Sequence, residues 1–543
     1  MATPALIRMI PRLVPPLLIL AAAVFGMPAR AATTWNAAEA ERTIAFGFTA
    51  IVERHLQAVT AASVAVDGLR GLAEIDPEIA VSVSPQGDRV RLTMVEAKMG
   101  ADTVVGDYPA PATDDSAGWA KLAVTAIEAG RAVSVPLRDA EAETLYQAVF
   151  EGALGKADVY SRYAGAAEAR EHRASRNGFG GIGIKFDMVE SEARIVEVIE
   201  ETPAAKAGLR VGDVILAIDG EPIRAMDRGD ISARLRGAVA SDLSLTVRRD
   251  TETLQLALRR SLIVPRTVTM TLVGGVAEFK ITSFNQRTAY GLENLLKDAR
   301  AKLGGAMQGV VLDLRGNPGG LLDKAVAVVD LFVAQGPIVS TKGRHPEASN
   351  AFDAHPGDIG EDLAVVVLVD GRSASAAEIV ASALQDAGRA VVIGTNSYGK
   401  GTVQTVIGLP NDGEITLTWS RFHTPSGYAL HGLGVLPALC TSASTATPAA
   451  IVDGLTRGTQ SAKLPETLAV WRHAGLAETD LRHRLRDTCP PSRRSEVKGD
   501  LELAEKLLAN RTAFARALAL SAPTRTLEAL QPRGTGEAEA VQH

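Results

Sequence analysis

The hydrophobic pattern in the first part of the chain predicts helices. Apolar side chains recur with a period near 3.6 residues, which is the period of a helix with one buried face. The stretches with this pattern are residues 37–75, 119–130 and 139–154. Two short stretches, 79–83 and 90–95, alternate between apolar and polar positions in the manner of strands. We therefore expect residues 32–165 to form a mostly helical domain.

After residue 265 the pattern becomes an alternation of buried strands and amphipathic helices. The expected strands are 276–281, 310–314, 363–369 and 390–393, with helices at 289–302 and 321–333 between them. This alternation is typical of an α/β core with a mostly parallel sheet. Residues 178–262 contain short strands and Gly-rich turns instead. The predicted fold class is α/β, in a multidomain α+β chain whose core spans 265–440.

Residues 441–543 carry helical patterns again and are expected to form an extension. The patterns cover 464–474, 479–486 and 496–520, after a linker of small residues at 441–448. The tail 533–543 is polar and is expected to be disordered. Within the core, residues 341–362 are punctuated by Gly and Pro, and we expect a polar loop there.

Composition and charge narrow the functional classes. The chain has 543 residues, 46% of them hydrophobic, which is enough for three or four domains. The net charge of −6 is not segregated into blocks, so nothing points to nucleic acid. His55 has no second metal-type side chain at ligand spacing and is expected to be a core or rim residue. Neither a metal nor another cofactor is expected.

Residues 1–31 have the pattern of a secretory signal peptide. Arg8 and Arg12 precede an apolar run at 13–25, and a small-x-small cleavage site follows at 29–31. The run is short for a membrane span. We therefore expect cleavage and export, with a periplasmic location and no stable membrane span afterwards. A retained N-terminal anchor is the alternative.

Cys440 and Cys489 are the two cysteines of the chain. An even number of cysteines in an exported protein permits a disulfide, here one that would fasten the C-terminal extension to the end of the core. Two buried free thiols are the alternative. The pattern favours the disulfide.

The candidate chemistry lies in the stretch 371–404. Ser375 follows an expected buried strand and precedes an expected helix, so it lies on a strand-to-helix turn. Such a turn leaves backbone N–H groups at the helix start unpaired, which suits a nucleophile beside an oxyanion site. Lys400 follows the next strand in a Gly-flanked turn, and the two side chains can meet if both strands lie in one sheet. Ser373 is a competing hydroxyl, and we expect it to be the helix N-cap.

Two Gly-rich turns present backbone N–H groups elsewhere. Residues 313–320 form a bend at the end of an expected strand, and these groups can bind an oxyanion there. A purely structural turn is the alternative. The turn at 181–184 can hold the terminal carboxylate of a peptide that adds to the neighbouring strand edge. An ordinary tight hairpin is the alternative, and the lysine of a phosphate-binding loop is missing.

Together these segments resemble the C-terminal processing peptidases, also called tail-specific proteases, of the S41 serine peptidase class. The resemblance covers roughly 160–439, and residues 178–262 resemble a PDZ domain, inserted in or preceding the core. The segments in family order are 160–163, 178–262, 313–320, 373–379, 398–401 and 424–427. The resemblance implies an exported serine endopeptidase that recognises protein C-termini through the PDZ domain. It also implies a Ser–Lys acyl-enzyme mechanism.

The resemblance assigns roles to individual residues. Ser375 matches the nucleophile, Lys400 the general base, and Gln404 the glutamine that orients the lysine. Burial would lower the pKa of Lys400 and make it a usable base. The remaining expected site residues are the oxyanion donors Ala376 with Gly319 or Gly320, and the carboxylate-binding residues Ile182, Gly183 and Ile184.

Several alternatives stay open. Many relatives carry a second serine where this chain has Ala377, which leaves the chemistry unchanged. A histidine base would have to be His423 or His431. A non-catalytic PDZ-type peptide-binding adaptor of the envelope is the competing function. The expected partners are proteins or peptides with free C-termini, and a homo-oligomer or an adaptor protein is also compatible with the sequence.

Overall fold

The computed structural model describes most of the chain after residue 34. The described residues are 35–95, 102–360, 363–442, 444–459, 463–495 and 497–521. The expected signal peptide, 1–31, and the expected disordered tail, 533–543, lie outside them. Among the described helices, none has the length and apolar character needed to span a membrane. Helices and sheets are mixed, which confirms the predicted fold class.

The N-terminal region packs helices around a small antiparallel sheet. Its helices are α1 Ala37–Arg54, α2 Ala61–Arg70, α3 Ser116–Val133, α4 Val135–Asp139 and α5 Ala142–Gly155, and its strands are β1 Ile79–Val83, β2 Arg89–Val95 and β3 Asp102–Pro109. The third strand was not predicted from the sequence. Ile415 and Leu417, far along the chain, are buried in the same apolar cluster as these helices. The region therefore packs directly on the core.

The segment that resembles a PDZ domain is an insertion in the core. Before it, strand β4 Arg162–Ala164 pairs with a strand of the core, and helix α6 Ala166–Asn177 leads into the insertion. Its elements are β5 Phe179–Gly181, β6 Ile184–Val189, β7 Glu192–Val198, α7 Pro203–Lys206, β8 Val214–Ile218, β9 Glu221–Pro222, α8 Arg228–Leu235, β10 Asp242–Arg249, β11 Glu252–Arg259 and β12 Ser261–Ile263. Strands β5 and β12 pair, so the insertion begins and ends at the same place.

The core is built on a six-stranded sheet. The elements from here to the end of the core are β13 Val268–Val273, β14 Val276–Ile281, α9 Thr288–Leu303, β15 Gly309–Asp313, α10 Leu322–Asp330, β16 Pro337–Gly343, β17 Asn350–Asp353, β18 Ala364–Val369, α11 Ala376–Asp386, β19 Ala390–Gly394, β20 Thr402–Gly408, β21 Glu414–His423 and β22 Leu439–Cys440. The order in the sheet is β13-β14-β15-β18-β19-β22, with all neighbours parallel except β13 and β14. Strands β15 and β19 are buried along their whole length, as expected for parallel strands covered on both faces.

A second sheet lies beside the first and contains β17, β16, β21 and β20, with β4 added to β21. The polar loop predicted at 341–362 is interrupted by two strand segments, 341–343 and 350–353, and there the prediction is wrong. Its first residues continue strand β16, and β17 pairs back on β16 in antiparallel register. Thr341 is buried and donates its hydroxyl to the carbonyl of Ala348, which fastens the turn between the two strands.

The C-terminal extension supplies a helical layer to the core. Its helices are α12 Pro448–Arg457, α13 Lys463–His473, α14 Thr479–Arg486, α15 Lys498–Leu508 and α16 Arg511–Ser521. Helix α12 was not predicted, and the single helix expected at 496–520 is two helices. Leu455, Leu507 and Ala517 pack against Val311 and Val391 of the sheet. The other face of the sheet is covered by α9, α10 and α11.

A disulfide links this extension to the sheet, as predicted. Cys440 lies in edge strand β22 and Cys489 lies just after α14, and their sulfurs are bonded across a Cα–Cα distance of 5.9 Å. The two residues are 49 positions apart in sequence. Closing a loop of that length in the unfolded chain stabilises the fold by about 4 kcal/mol in the chain-entropy treatment.

Candidate active site

Two strand-to-helix turns meet at the carboxyl edge of the central sheet. Strands β15 and β18 are parallel neighbours, so the turns that follow them lie side by side. The first turn carries Gly319 and Gly320, and the second carries Ser375. The amide of Ala374 donates to the carbonyl of Asn317 at 2.9 Å, which joins the two turns directly.

Ser375 has an unusual backbone conformation. It occupies the N-cap position of α11 with φ of +55°, a region that non-glycine residues adopt only when their surroundings enforce it. Ser373 is fully buried and donates its hydroxyl to the carbonyl of Leu314 at 2.9 Å. The prediction that Ser373 is the helix N-cap is therefore wrong. Its hydroxyl holds the turn, whereas Ser375 is partly exposed.

Some backbone N–H groups around Ser375 are hydrogen-bonded within the protein and others are not. Ala376 is the first residue of α11, and its N–H therefore has no acceptor within the helix. The N–H of Gly319 donates to Asn317 Oδ1 at 2.8 Å. The N–H of Gly320 makes no hydrogen bond to any protein group within the described part of the chain. Ala376 and Gly320 are thus the donors left for a ligand.

Gly319 leaves no room for a side chain. Its φ is +106°, and a Cβ atom built on it would lie 2.8 Å from Ser375 Cβ and 3.1 Å from the nitrogen of Ala376. These distances place the Gly319 turn against the start of α11. They also explain why glycine is required at this position, because any other residue would collide with the turn that carries Ser375.

Glu378 connects the turn of Ser375 to the turn of Lys400. It is fully buried, and Oε2 accepts the amides of Ser375 at 2.8 Å and Lys400 at 2.9 Å. Oε1 accepts the amide of Gly399 and the hydroxyl of Ser397. Burial raises the pKa of this carboxyl, and the four donors act in the opposite direction. Sequence reasoning missed Glu378, although the Ser-x-x-Glu spacing from Ser375 is that of a capping box.

Lys400 lies in a partly buried position beside an aromatic ring. Its Nζ is 5.1 Å from the centroid of the Tyr160 ring. Burial lowers the pKa of Lys400 below its ordinary value, and the positive charge of Arg162 lowers it further. Glu378 and Asp158 act in the opposite direction. No hydrogen bond joins Lys400 Nζ to Ser375 Oγ among the described residues, so the structure brings their turns together through Glu378.

Gln404 belongs to a separate hydrogen-bond network. Its Nε2 donates to Thr402 Oγ1 at 2.9 Å and to Thr418 Oγ1 at 3.2 Å. Thr418 Oγ1 donates in turn to Asp158, whose other oxygen lies 2.9 Å from His55 Nε2. His55 is buried in this network, in agreement with the sequence interpretation. The described residues contain no cluster of side chains that could hold a metal ion.

His423 and His431 do not take the place of Lys400. Burial lowers the pKa of both imidazoles, and the Nδ1 atom of each is buried without a partner among the described residues. The ring of His431 packs edge-on against Tyr160 at 6.2 Å. Neither ring makes a hydrogen bond to Ser375 in this part of the molecule, so the histidine alternative has no geometric support.

The Gly-rich turn of the inserted segment leaves two amides unused. The N–H groups of Ile182 and Gly183 have no acceptor within the described residues, and the turn leads into Ile184, the first residue of edge strand β6. Gly183 has φ of +86°, and a Cβ atom there would lie 2.4 Å from Thr202. The turn and the free edge of β6 together can receive a carboxylate and an added strand.

The chain is similar in sequence to known proteins. The sequence profile of Peptidase family S41 matches residues 275–439, and that of a PDZ domain matches residues 194–249. A carboxy-terminal-processing protease of Bartonella bacilliformis is 39% identical over 299 residues, which are 54% of this chain and 69% of that protein. A probable CtpA-like serine protease of Staphylococcus saprophyticus is 30% identical over 304 residues, 55% of this chain and 61% of that protein.

A solved structure of a photosystem II D1 C-terminal processing protease shares 26% identity with the chain. The match covers 55% of this chain and 82% of that chain, with a TM-score of 0.34. The family is shown by the sequence similarity and not by this structural superposition.

The contact of Gly319 with Ser375 leads to a testable prediction. We expect Gly319→Ala to slow the covalent labelling of Ser375 by a fluorophosphonate at least tenfold, because the added methyl group displaces the turn. The matched control is Gly336→Ala, where φ is +96° but no atom lies within 4 Å of the new Cβ. Peptide mass spectrometry measures the labelling. Equal rates in the two variants would contradict this interpretation.

Proposed function

Because the chain belongs to the carboxy-terminal-processing proteases of peptidase family S41 and is a serine protease, we propose that it cleaves proteins whose C-termini bind its PDZ domain. The proposed reaction is endopeptidase cleavage through an acyl-enzyme on Ser375, with Lys400 as the base. The observation that carries the proposal is the buried carboxylate of Glu378, which accepts the amides of both residues. It joins the two turns that carry the proposed nucleophile and the proposed base.

The proposed first step is the attack of Ser375 Oγ on the scissile carbonyl. Lys400 accepts the hydroxyl proton, which requires a neutral amine, and burial supplies this by lowering its pKa. The amine becomes an ammonium in the same step. The face of the Tyr160 ring then stabilises the new charge through a cation–π interaction. The proton later passes to the leaving amine.

The developing oxyanion needs preorganised donors. We assign them to the N–H groups of Ala376 and Gly320, because the N–H of Gly319 is engaged by Asn317. Gly319 contributes by its lack of a side chain, which lets the two turns touch. Gln404 Oε1 has no donor among the described residues, and we propose that it accepts a hydrogen bond from the ammonium of Lys400.

The inserted PDZ domain supplies the proposed substrate recognition. A protein C-terminus adds as a strand to the free edge of β6, and its carboxylate binds the amides of Ile182, Gly183 and Ile184. We also propose export to the periplasm, from the pattern of residues 1–31. The disulfide supports this proposal, because disulfides persist in oxidising compartments. A homo-oligomer or an adaptor protein remains a prediction from the sequence.

Substitution of the two reacting residues tests the proposed activity. We expect Ser375→Ala and Lys400→Ala each to reduce kcat/KM for an unstructured protein with an apolar C-terminus by on the order of 10⁴-fold or more. Ser349→Ala and Lys302→Ala, both at exposed positions, serve as matched controls and should leave the rate unchanged. Cleavage that persists in the first two variants would contradict the proposal. A wild-type protein that binds the C-terminus without cleaving it would be the adaptor instead.

Peptide binding tests the proposed role of the PDZ domain. We expect a peptide with a free C-terminus to bind Ser375→Ala protein at least tenfold more tightly than the same peptide with an amidated C-terminus, because the amide cannot replace the carboxylate at Ile182 and Gly183. Isothermal titration measures both affinities. A further Gly183→Val substitution should abolish the difference, since the side chain would collide with Thr202. Equal affinities for the two peptides would rule out recognition of the terminus.

A further inference from the structure

A segment outside the family profile crosses the turns of the candidate active site. The profile of family S41 ends at residue 439. Residues 489–495, which we call the brace, run from the disulfide toward α15 along the carboxyl edge of the central sheet. The brace contacts the residues that follow β15, β18 and β19. These are the strands whose ends carry the proposed oxyanion donor, nucleophile and base.

The brace is hydrogen-bonded to the turn of the nucleophile. The amide of Gly371 donates to the carbonyl of Ser492 at 2.8 Å, and the amide of Arg494 donates to Asp370 Oδ2 at 2.9 Å. Asp370 is fully buried, and its other oxygen accepts the amide of Gly316 at 2.8 Å. One carboxylate therefore joins the brace, the turn of the nucleophile and the turn of the oxyanion donor.

The brace also holds the turn of the oxyanion donor through Arg315. Nη1 of Arg315 donates to the carbonyls of Arg494 at 3.1 Å and Val497 at 2.7 Å. Nε and Nη2 of the same guanidinium bind the carboxylate of Asp313, each at 2.9 Å. Arg315 is almost fully buried, so these bonds are shielded from water and fix the bend two residues before Asn317.

The helix before the brace reaches the turn of the base. Arg486, at the end of α14, donates through Nη1 to the carbonyl of Leu433 at 2.9 Å and through Nη2 to that of Ser397 at 3.3 Å. The hydroxyl of Ser397 donates in turn to Glu378, the carboxylate that binds the amide of Lys400. The extension thus contacts all three turns.

The brace is anchored at both ends. At its start, Cys489 is bonded to Cys440 of the sheet. At its end, the guanidinium of Arg494 binds the carboxylate of Asp500 with two hydrogen bonds of 3.1 and 2.8 Å, in the first turn of α15. Asp500 is fully buried. Its pairing with the side chain of Arg494 fixes the main chain whose N–H and C=O groups hold Asp370 and Arg315.

We propose that the brace positions the nucleophile and oxyanion turns for the reaction, and that Arg494 is the residue through which it does so. The inference rests on the proposed function, since positioning has meaning only if Ser375 reacts. Arg494 is a positioning residue and contacts no reacting atom. A displacement of about 1 Å in reacting groups can cost on the order of 10²-fold in rate, so loss of the brace should be visible in catalysis.

The test compares arginines of the same extension. Arg494→Ala removes the pairing with Asp500, and Arg494→Lys keeps its charge. Arg516→Ala is the matched control, because Arg516 also donates to main-chain carbonyls, but to those of Leu455 and Thr456 in α12 and not to the three turns. The measurements are kcat and KM for a peptide substrate, inhibition by a peptide boronic acid that mimics the tetrahedral intermediate, affinity for a C-terminal peptide, and thermal unfolding.

We expect Arg494→Ala to lower kcat by about 10- to 100-fold and to weaken inhibition by the boronic acid by a similar factor. KM and the affinity for the C-terminal peptide should change less than twofold. Arg494→Lys should recover part of kcat. Arg516→Ala should lower the unfolding temperature and keep kcat. The proposal would be overturned if Arg494→Ala kept kcat within twofold of wild type, or if it reduced kcat no more than Arg516→Ala does. The brace would then only stabilise the fold.

A milder variant keeps the test decisive if Arg494→Ala does not fold. Thr395→Val removes the hydroxyl that donates to the carbonyl of Ser492 and accepts its amide. It should lower kcat several-fold with unchanged KM, and an unchanged kcat would overturn the proposal. Failure of the proposed function would look different, because wild-type protein would then not cleave the peptide at all.

Discussion

Glu378 accepts four hydrogen bonds where no solvent reaches it, and two of its donors are the backbone amides of Ser375 and Lys400. A buried carboxylate without partners costs several kcal/mol, so each of these donors has to stay in place for the fold to hold. The requirement ties the turn after β18 to the turn after β19. The positive φ of Ser375 is maintained by the same bond, because its amide must face the carboxylate. Proximity of the two turns that carry the proposed nucleophile and base is therefore a condition of stability.

The central sheet explains why the extension belongs to the core. Parallel strands need apolar cover on both faces, and α9, α10 and α11 cover only one of them. Helices α12, α15 and α16 cover the other, although the profile of family S41 ends before them. The chain between α14 and α15 must then cross the edge of the sheet where the turns of the site lie. The packing of the helices therefore places the brace beside the turns of the site, where it can hold them in position.

The sequence predicted local patterns better than long-range contacts. The strand at 276–281 has the bounds that were expected, because a short apolar run between turns fits few structures other than a buried strand. Helix α12 was missed despite the Thr-Pro start and the Gly458 after its end, which are helix signals. Gly319 and Gly320 could not be told apart, since the choice depends on a bond from Gly319 to Asn317 that no spacing reveals. Asp370, one of the partners of Arg494, lies more than a hundred residues away in sequence, and no local pattern predicts this contact.

The pH dependence of the acylation of Ser375 tests most directly whether buried Lys400 is the base. We expect the rate to rise with pH as Lys400 loses its proton, at a pH below 10.5, the ordinary value for lysine. Arg162→Ala should move this rise to higher pH, because the charge of Arg162 lowers the pKa of Lys400, and the shift should shrink in high salt. Arg170→Ala, an exposed control on α6, should not move it. A rise at the same pH in wild type, Arg162→Ala and Lys400→Ala would show that Lys400 is not the base.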